Sequence, residues 1–390
     1  MPNLAQALLS LALLAVPFAH HAAARPSACS KPAIVRSAEQ VKDARQDLLA
    51  LLASDGFQTD VPPHERHAIA AMQARLGDFV TTYMRCAPLV PDPATIGAEL
   101  ARAHALKETD DRGVELAFDV KKPEGHLRLL AVTATFAIEC GSDAMLFVFA
   151  RDNGAWHEVL RWQSKPYRTV AGAFWSFGYA ISPPDAHDHW FVATKFVSPW
   201  CSSTWSSITY SILRPVPDRR EPRALLTASD GMWWGNEDFG ALTSGRTSVD
   251  LRFHSSSIDT GVHNRVWIKH FTVIGNAVRR AQPAAASPGD FADEWIVSAW
   301  KDASLWSAKH RIGALQRAHR RLHKLHYFDY VSVRECSDRP DHHQIELAHE
   351  DAPPYYFHVI GRTAYEMAAI ATKPETACAG KNLMDEPDRK

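Results

Sequence analysis

Residues 146–162, "LFVFARDNGAWHEVLRW", decide how this chain is read. Two runs rich in aromatic and β-branched residues flank Asp152-Asn153-Gly154. Runs of that composition favour strands. Asn-Gly supplies the positive φ angles that a tight hairpin needs. The stretch therefore predicts an antiparallel hairpin, and its neighbours repeat the pattern. "LRLLAVTATF", "LFVFAR" and "WHEVLRW" form one triplet of strands. "WFVATKF", "ITYSIL" and "RALLTAS" form a second, and "SVDLRFH", "RVWIKHF" and "NAVRR" a third. The middle strands recur roughly every 60 residues, the mark of a repeated supersecondary unit. Residues 113–283 thus read as a β-rich antiparallel domain of meanders. Three units are too few for an ordinary propeller, so a sandwich, a barrel or a propeller-like arrangement completed by other strands stays open.

Outside this domain the period changes from two to that of a helix. In residues 25–112, "SAEQ" places Ser37 and Gln40 as a capping box. Val41, Ala44, Leu48, Leu51 and Leu52 follow on one face, and Gly56 ends the helix. A second helix from Pro63 carries Ile69, Met72, Leu76, Phe79 and Tyr83, and a short third carries Ile96 and Leu100. "KETDDRG" then reads as a polar linker, as does "AQPAAASPGD" at 281–290. After the latter, Asp290 caps a helix whose face is Phe291, Trp295, Ile296, Ala299 and Trp300. A basic helix, "KHRIGALQRAHRRLHKLH", comes next. It brings Lys309, Arg311, Arg317, Arg320, Arg321 and Lys324 without one acid, and is read as a solvated face. The strands "YFDYVSVREC", "HQIELAH", "YYFHVI" and "YEMAAIA" complete a small module over 289–390, the last two turning at Gly361-Arg362-Thr363. The fold class expected is α+β: a helical N-terminal segment, a β-rich antiparallel central domain and a small α+β C-terminal module.

Composition bears on compartment and partner. The 390 residues are 46% apolar and 10% aromatic, enough for a sizeable core, and the net charge of −1 provides no global field for nucleic acid. Leu4–Phe18 is an uncharged apolar run, shorter than the about 20 residues that a membrane span requires. Pro17 and the small residues Ala22-Ala23-Ala24 follow it, so residues 1–24 read as a cleaved signal peptide, although no Lys or Arg precedes the run. The expectation is a periplasmic or secreted protein with no integral membrane span after cleavage. Six cysteines remain, Cys29, Cys86, Cys140, Cys201, Cys336 and Cys378, and no CxxC occurs among them. An even count in an exported chain points to disulfides. They fall two to a region, which suggests Cys29–Cys86, Cys140–Cys201 and Cys336–Cys378.

Catalytic motifs are sparse. GxSxG is absent. Ser298 and Lys301 match SxxK, but "SDR" stands at 337–339 where SDN belongs and no KTG follows. "SPWCSSTWSS" (198–207) reads as a cross-linked strand connection, because its serines lack a recognisable base. HExxH is absent too. His187 and His189, with Asp185 and Asp188, read as a polar hairpin tip, and His342-His343 would point to opposite sides of a strand. No metal and no cofactor are expected, since no phosphate loop, Rossmann fingerprint or EF-hand loop occurs. Asp293 and Glu294 fall in the first turn of a helix, where acids complement the macrodipole.

"SDGMWWGNEDFG" (229–240) combines paired tryptophans with acids. Aromatic faces can stack on the C–H face of a sugar while carboxylates accept from its hydroxyls. Asp230, Trp233, Trp234, Glu237 and Asp238 are accordingly the candidate ligand-binding residues. "DNGAW" and "SDGMWW" resemble the Asp-box turns of sialidase-like propellers, though neither has that motif's full spacing. The reading is a non-catalytic binding or cell-envelope role, with a glycan or envelope component as partner. The alternative is a glycan-acting hydrolase using the carboxylates of the 230–238 loop, set either about 5–5.5 Å or about 6.5–9.5 Å apart.

Overall fold

The structure is a computed structural model that describes residues 31–54, 62–87, 92–103, 116–138, 141–152, 154–164, 176–197, 205–233, 240–256, 264–325, 328–350 and 352–385. It is α+β, with a helical N-terminal part and four antiparallel four-stranded sheets.

Helices α1 (Lys31–Ser54), α2 (Pro63–Cys86) and α3 (Pro93–Ala103) come first. The α2 stripe is as expected: Ile69, Met72, Leu76, Phe79 and Tyr83 are all buried. The capping box is not. The helix α1 begins at Lys31, and Ser37 lies inside it with Oγ donating to the Ile34 carbonyl at 2.9 Å. Ile34, Ala38 and Val41 continue one apolar face against the core, so burial extends the helix past its local start signal.

Sheet 1 holds β1 (Leu116–Lys121), β2 (Leu129–Ile138), β3 (Gly141–Asp152) and β4 (Ala155–Gln163). Sheet 2 holds β5 (Ser176–Ile181), β6 (Val192–Val197), β7 (Trp205–Val216) and β8 (Arg219–Trp233). Sheet 3 holds β9 (Ala241–Ser244), β10 (Ser248–Ser256), β11 (Asn264–Ile274) and β12 (Ala277–Arg280). Within each sheet the strands lie in chain order. The hairpin read first is β3–β4, with Asp152 opposite Ala155 and Gly154 at φ 76°. Each expected triplet gains one preceding strand, β1, β5 or β9. These three are short, and β5 is interrupted by Gly178, so their local strand signal is weak.

Period-two alternation then stacks the layers. On β2 and β3, Leu130, Val132, Phe136, Met145, Phe147 and Phe149 face the N-terminal helices. Leu129, Ala131, Leu146 and Val148 face Val192 and Leu213 of sheet 2. The other side of sheet 2, with Ile208, Tyr210 and Ile212, packs on Val249, Leu251, Phe253, Phe271 and Val273 of sheet 3.

After sheet 3 the chain adds α4 (Pro288–Val297), α5 (Trp300–Ala303), a 3-10 turn at Lys309–Arg311 and α6 (Ile312–Leu322). Sheet 4 follows, with β13 (Asp329–Glu335), β14 (His342–His349), β15 (Ala352–Ile360) and β16 (Glu366–Ala371). It repeats the chain-order meander. At the β15 turn Gly361 has φ 121°, and a Cβ there would meet the Ala364 carbonyl at 2.1 Å. The 281–290 stretch is no free linker: Ala284 and Ala285 are buried, and Ala285 bridges Trp267 of β11. Ser287, not Asp290, is the N-cap of α4, accepting the Asp290 backbone N–H. Phe291, Trp295 and Ile296 of α4 pack with Val333, Ile345, Phe357 and Met367 in the core of sheet 4.

Cys336 and Cys378 form a disulfide that ties the end of β13 to the segment after β16. Cys86 is also disulfide-bonded. Its partner lies outside the described residues, as do Cys29, Cys140, Cys201 and residues 1–24. Among the described residues, no helix is long and apolar enough to cross a membrane.

Candidate binding cleft between the central sheets and the C-terminal helices

The helix α4 has two working faces. One is apolar and belongs to the sheet 4 core. The other offers Glu294 to the cations of sheet 3. Arg265 Nη2 donates to Glu294 Oε2 at 2.6 Å and Arg280 Nη2 to Oε1 at 2.9 Å. Arg265 Nη1 also donates to Asp293. Lys269 Nζ stands 3.5 Å from Glu294 Oε1 and 3.5 Å from Asp230 Oδ2. The Tyr210 hydroxyl donates to Asp230 Oδ2 at 2.9 Å, and Ser298 Oγ to Glu294 Oε1 at 3.2 Å. Three cations thus face three carboxylates across the seam between β8, β11, β12 and α4.

A cleft of about 410 Å³ opens over this seam. Leu226, Ala228, Trp267, Phe271 and Val278 supply its apolar wall, and Lys301, Asp302 and Val297 lie on the C-terminal side. The Trp267 ring carries Arg265 Cζ at 3.9 Å and Lys269 Nζ at 4.5 Å from its centroid, and it stacks on Phe253. These contacts orient both cations by cation–π attraction.

Electrostatics separates the roles of the charged groups. Burial alone would raise the Glu294 pKa, but Lys269, Arg265 and Arg280 together hold it at about 2. Glu294 therefore stays a carboxylate at any working pH. Burial lowers the Lys269 pKa, while Glu294 and Asp230 push it back up. Burial and the adjacent Asp230 raise the Tyr210 hydroxyl above its ordinary value, so it remains a phenol and a donor.

Both arginine contacts to Glu294 have the short lengths of charge-assisted hydrogen bonds. The two Lys269 contacts are longer than the about 2.7–2.9 Å of a tight pair. Lys269 ends in a flexible stem with three rotatable donors, so it is the member of the cluster that can turn to a ligand.

A second cleft of about 380 Å³ lies between β1, β2 and β5. Its rim charges Asp119 and Lys121 already pair with each other at 2.6 Å. Among the described residues, no cluster of cations and carboxylates from separate elements gathers there as it does around Lys269.

Of the residues singled out from the sequence, Asp230 lines the larger cleft. Trp233 ends β8 opposite Trp205; its side chain and residues Trp234, Glu237 and Asp238 lie outside the described residues. Ser298 and Lys301 both line the cleft, yet the Ser298 hydroxyl donates to Glu294. Glu294 and Asp293, read above as helix-dipole acids, are instead ion-pair partners of sheet 3. Asp185 accepts the backbone N–H groups of His187 and His189, as a hairpin tip would. Tyr210, Trp267, Lys269 and Arg280 went unnoticed. A signal existed in "RVWIKHF": Arg265, Trp267 and Lys269 alternate on the strand face that continues into Phe271 and Val273, and cations on a core-facing side need partners. The chain matches no protein family, no curated protein and no solved structure.

Proposed function

We propose that this is an exported, disulfide-stabilised protein with a non-catalytic binding role, and that its cleft takes a polyhydroxylated ligand such as a glycan of the cell envelope. One observation carries the reading: Lys269 is shared loosely between Asp230 and Glu294 at an aromatic-walled cleft. A ligand hydroxyl placed there can accept from Lys269 and donate to Asp230, replacing two long contacts with hydrogen bonds of ordinary length. The cleft volume falls within the about 300–1,000 Å³ of small-molecule sites. Export rests on the apolar run Leu4–Phe18 and on the cysteine count.

Of the 230–238 carboxylates of the hydrolase alternative, Glu237 and Asp238 lie outside the described residues, and the acid beside Asp230 is Glu294 of α4. Their near oxygens are separated by at most twice the 3.5 Å that each keeps from Lys269 Nζ. A glycosidase needs one of its two acids protonated. Glu294, held by three cations, cannot be that acid and could serve only as the ionised partner, which leaves Asp230, facing Lys269 and Tyr210, to supply the proton.

The test is a screen of envelope glycans by calorimetry on wild type, Lys269→Met and Asp230→Asn. Each substitution is expected to weaken binding at least tenfold, about 1.4 kcal/mol. Equal affinity in all three would refute the cleft assignment. Release of reducing sugar by wild type but not by Asp230→Asn would replace binding with hydrolysis. Sequencing the N-terminus of the exported protein checks the signal peptide.

A further inference from the structure

A second cluster of polar side chains lies in the C-terminal module, and none of its members lines the cleft. His358 on β15, Glu375 after β16 and Cys378 in the following 3-10 turn bring one donor atom each to within 4.8 Å of the others. Glu375 Oε2 is 3.4 Å from His358 Nδ1 and 4.0 Å from Cys378 Sγ. Around a tetrahedral zinc ion, with bonds of about 2.0–2.3 Å, donor atoms stand roughly 3.3–3.8 Å apart. The cluster needs only a small contraction to reach that arrangement. A thiolate, an imidazole and a carboxylate together suit a borderline divalent ion and leave a fourth position for water.

We propose that His358, Glu375 and Cys378 form a zinc-class metal site that is closed while Cys336–Cys378 is oxidised and opens when that disulfide is reduced. In the oxidised chain Cys378 Sγ is bonded to Cys336 and cannot act as a thiolate. Reduction by a thiol breaks the S–S bond: two R–SH become R–S–S–R, and Cys336 and Cys378 each gain a hydrogen. The ion then displaces the Cys378 proton to solvent and bonds the sulfur, with no further change in oxidation state.

The frame is ready for this exchange. Gln344, which faces His358 across β14–β15, accepts the Glu375 backbone N–H at 2.7 Å. The Cys378 N–H donates to the Glu375 carbonyl at 3.0 Å, fixing the spacing of two of the ligands. Arg339 Nη2 occupies Glu375 Oε2 at 2.6 Å in the oxidised state. Its side chain is 38% exposed, and Asp338 lies 3.4 Å from its Nε, so a partner waits when the ion takes the carboxylate. The dication, one thiolate and one carboxylate sum to zero charge, so Arg339 has no reason to stay.

The experiment titrates Co(II), a spectroscopic stand-in for zinc, into the full chain under anaerobic conditions. Cys336→Ser frees Cys378 without any reductant and leaves the other cysteines as they are. It should bind one Co(II) with tetrahedral d–d absorption and a thiolate-to-cobalt charge-transfer band. Adding His358→Ala or Glu375→Gln should weaken that binding at least tenfold, and Cys336→Ser/Cys378→Ser should abolish the thiolate band. Oxidised wild type should show no thiolate band. Wild type reduced by a phosphine gives a second route to the same thiol should Cys336→Ser fold poorly. The proposal is overturned if neither form gains a thiolate band over oxidised wild type, or if His358→Ala and Glu375→Gln bind as tightly as their parent.

Discussion

Two glutamates with side chains only 2% exposed mark two of the places where helices meet sheets, and they are served differently. Glu158, on β4, faces the N-terminal helices. It receives Arg161 through Nε at 2.6 Å and Nη2 at 2.8 Å, and Thr81 of α2 at 2.7 Å. Arg161 closes over Gly77, where a Cβ would come within 2.3 Å of its guanidinium. The contacts of Arg161 and Thr81 in that junction are short, and the one long contact, Arg220 Nε at 3.7 Å, comes from the solvent side. Glu294, on α4, has two short arginine contacts and one long contact to a lysine that it shares with Asp230. A saturated buried network stabilises one geometry. One with a loosely held donor at an open cleft can change partners. The difference separates a structural junction from a candidate site, although both look alike as buried charges.

The comparison breaks or sharpens on stability first. Glu294→Gln removes the carboxylate that Arg265, Arg280 and Lys269 share in a buried seam, leaving Asp293 and Asp230 to serve three cations, and should cost about 3–5 kcal/mol, read from the denaturant midpoint. Glu158→Gln should cost less, about 1–3 kcal/mol. Its cations have water to turn to, since the Arg161 side chain is 17% exposed and that of Arg220 49%. Equal losses would show that the two junctions do not differ as described.

The next effect is on pH dependence. The Glu294 pKa is depressed in the fold, so its stabilisation is complete above about pH 4.5 and is lost as the pH falls toward about 2. Glu294→Gln should flatten that acid limb of the stability profile. Asp290, one turn earlier on α4, has the opposite sign. Burial outweighs Arg265 and raises its pKa to about 6. The folded state then binds the extra proton, and stability falls as the pH rises from about 4 to about 6. Asp290→Asn should remove that fall; about two pK units correspond to about 3 kcal/mol, and because Asp290 is only half-buried the gain at neutral pH should be nearer about 1 kcal/mol, the smallest of these changes. A variant less stable than wild type at pH 7 would mean that the Asp290 charge supports α4 more than burial penalises it.

Much of the architecture was legible. The hairpin at Asp152-Asn153-Gly154, the three strand triplets, the α2 stripe and the Cys336–Cys378 pairing are local or compositional signals, and each is present in the fold. What escaped has a common cause. The strands β1, β5 and β9 are held by pairing with a stronger neighbour, and α1 runs past its capping box because Ile34 has a core to join. Neither fact is written in a short window.

The candidate site divides in the same way. Sequence alone raised Asp230 to notice, through its tryptophan neighbours, and placed Glu294 in the first turn of a helix, whereas α4 starts at Pro288 and carries Glu294 one turn further on. It could not bring them to one lysine. Period two and period 3.6 state which way a side chain faces within its own element. They do not state which element lies opposite. Asp230, Lys269 and Glu294 meet because sheet 2 stacks on sheet 3 while α4 lays its apolar face on sheet 4 and turns its acids back. That encounter is decided by packing between layers, where burial of apolar area sets the positions and the charges must find partners within them.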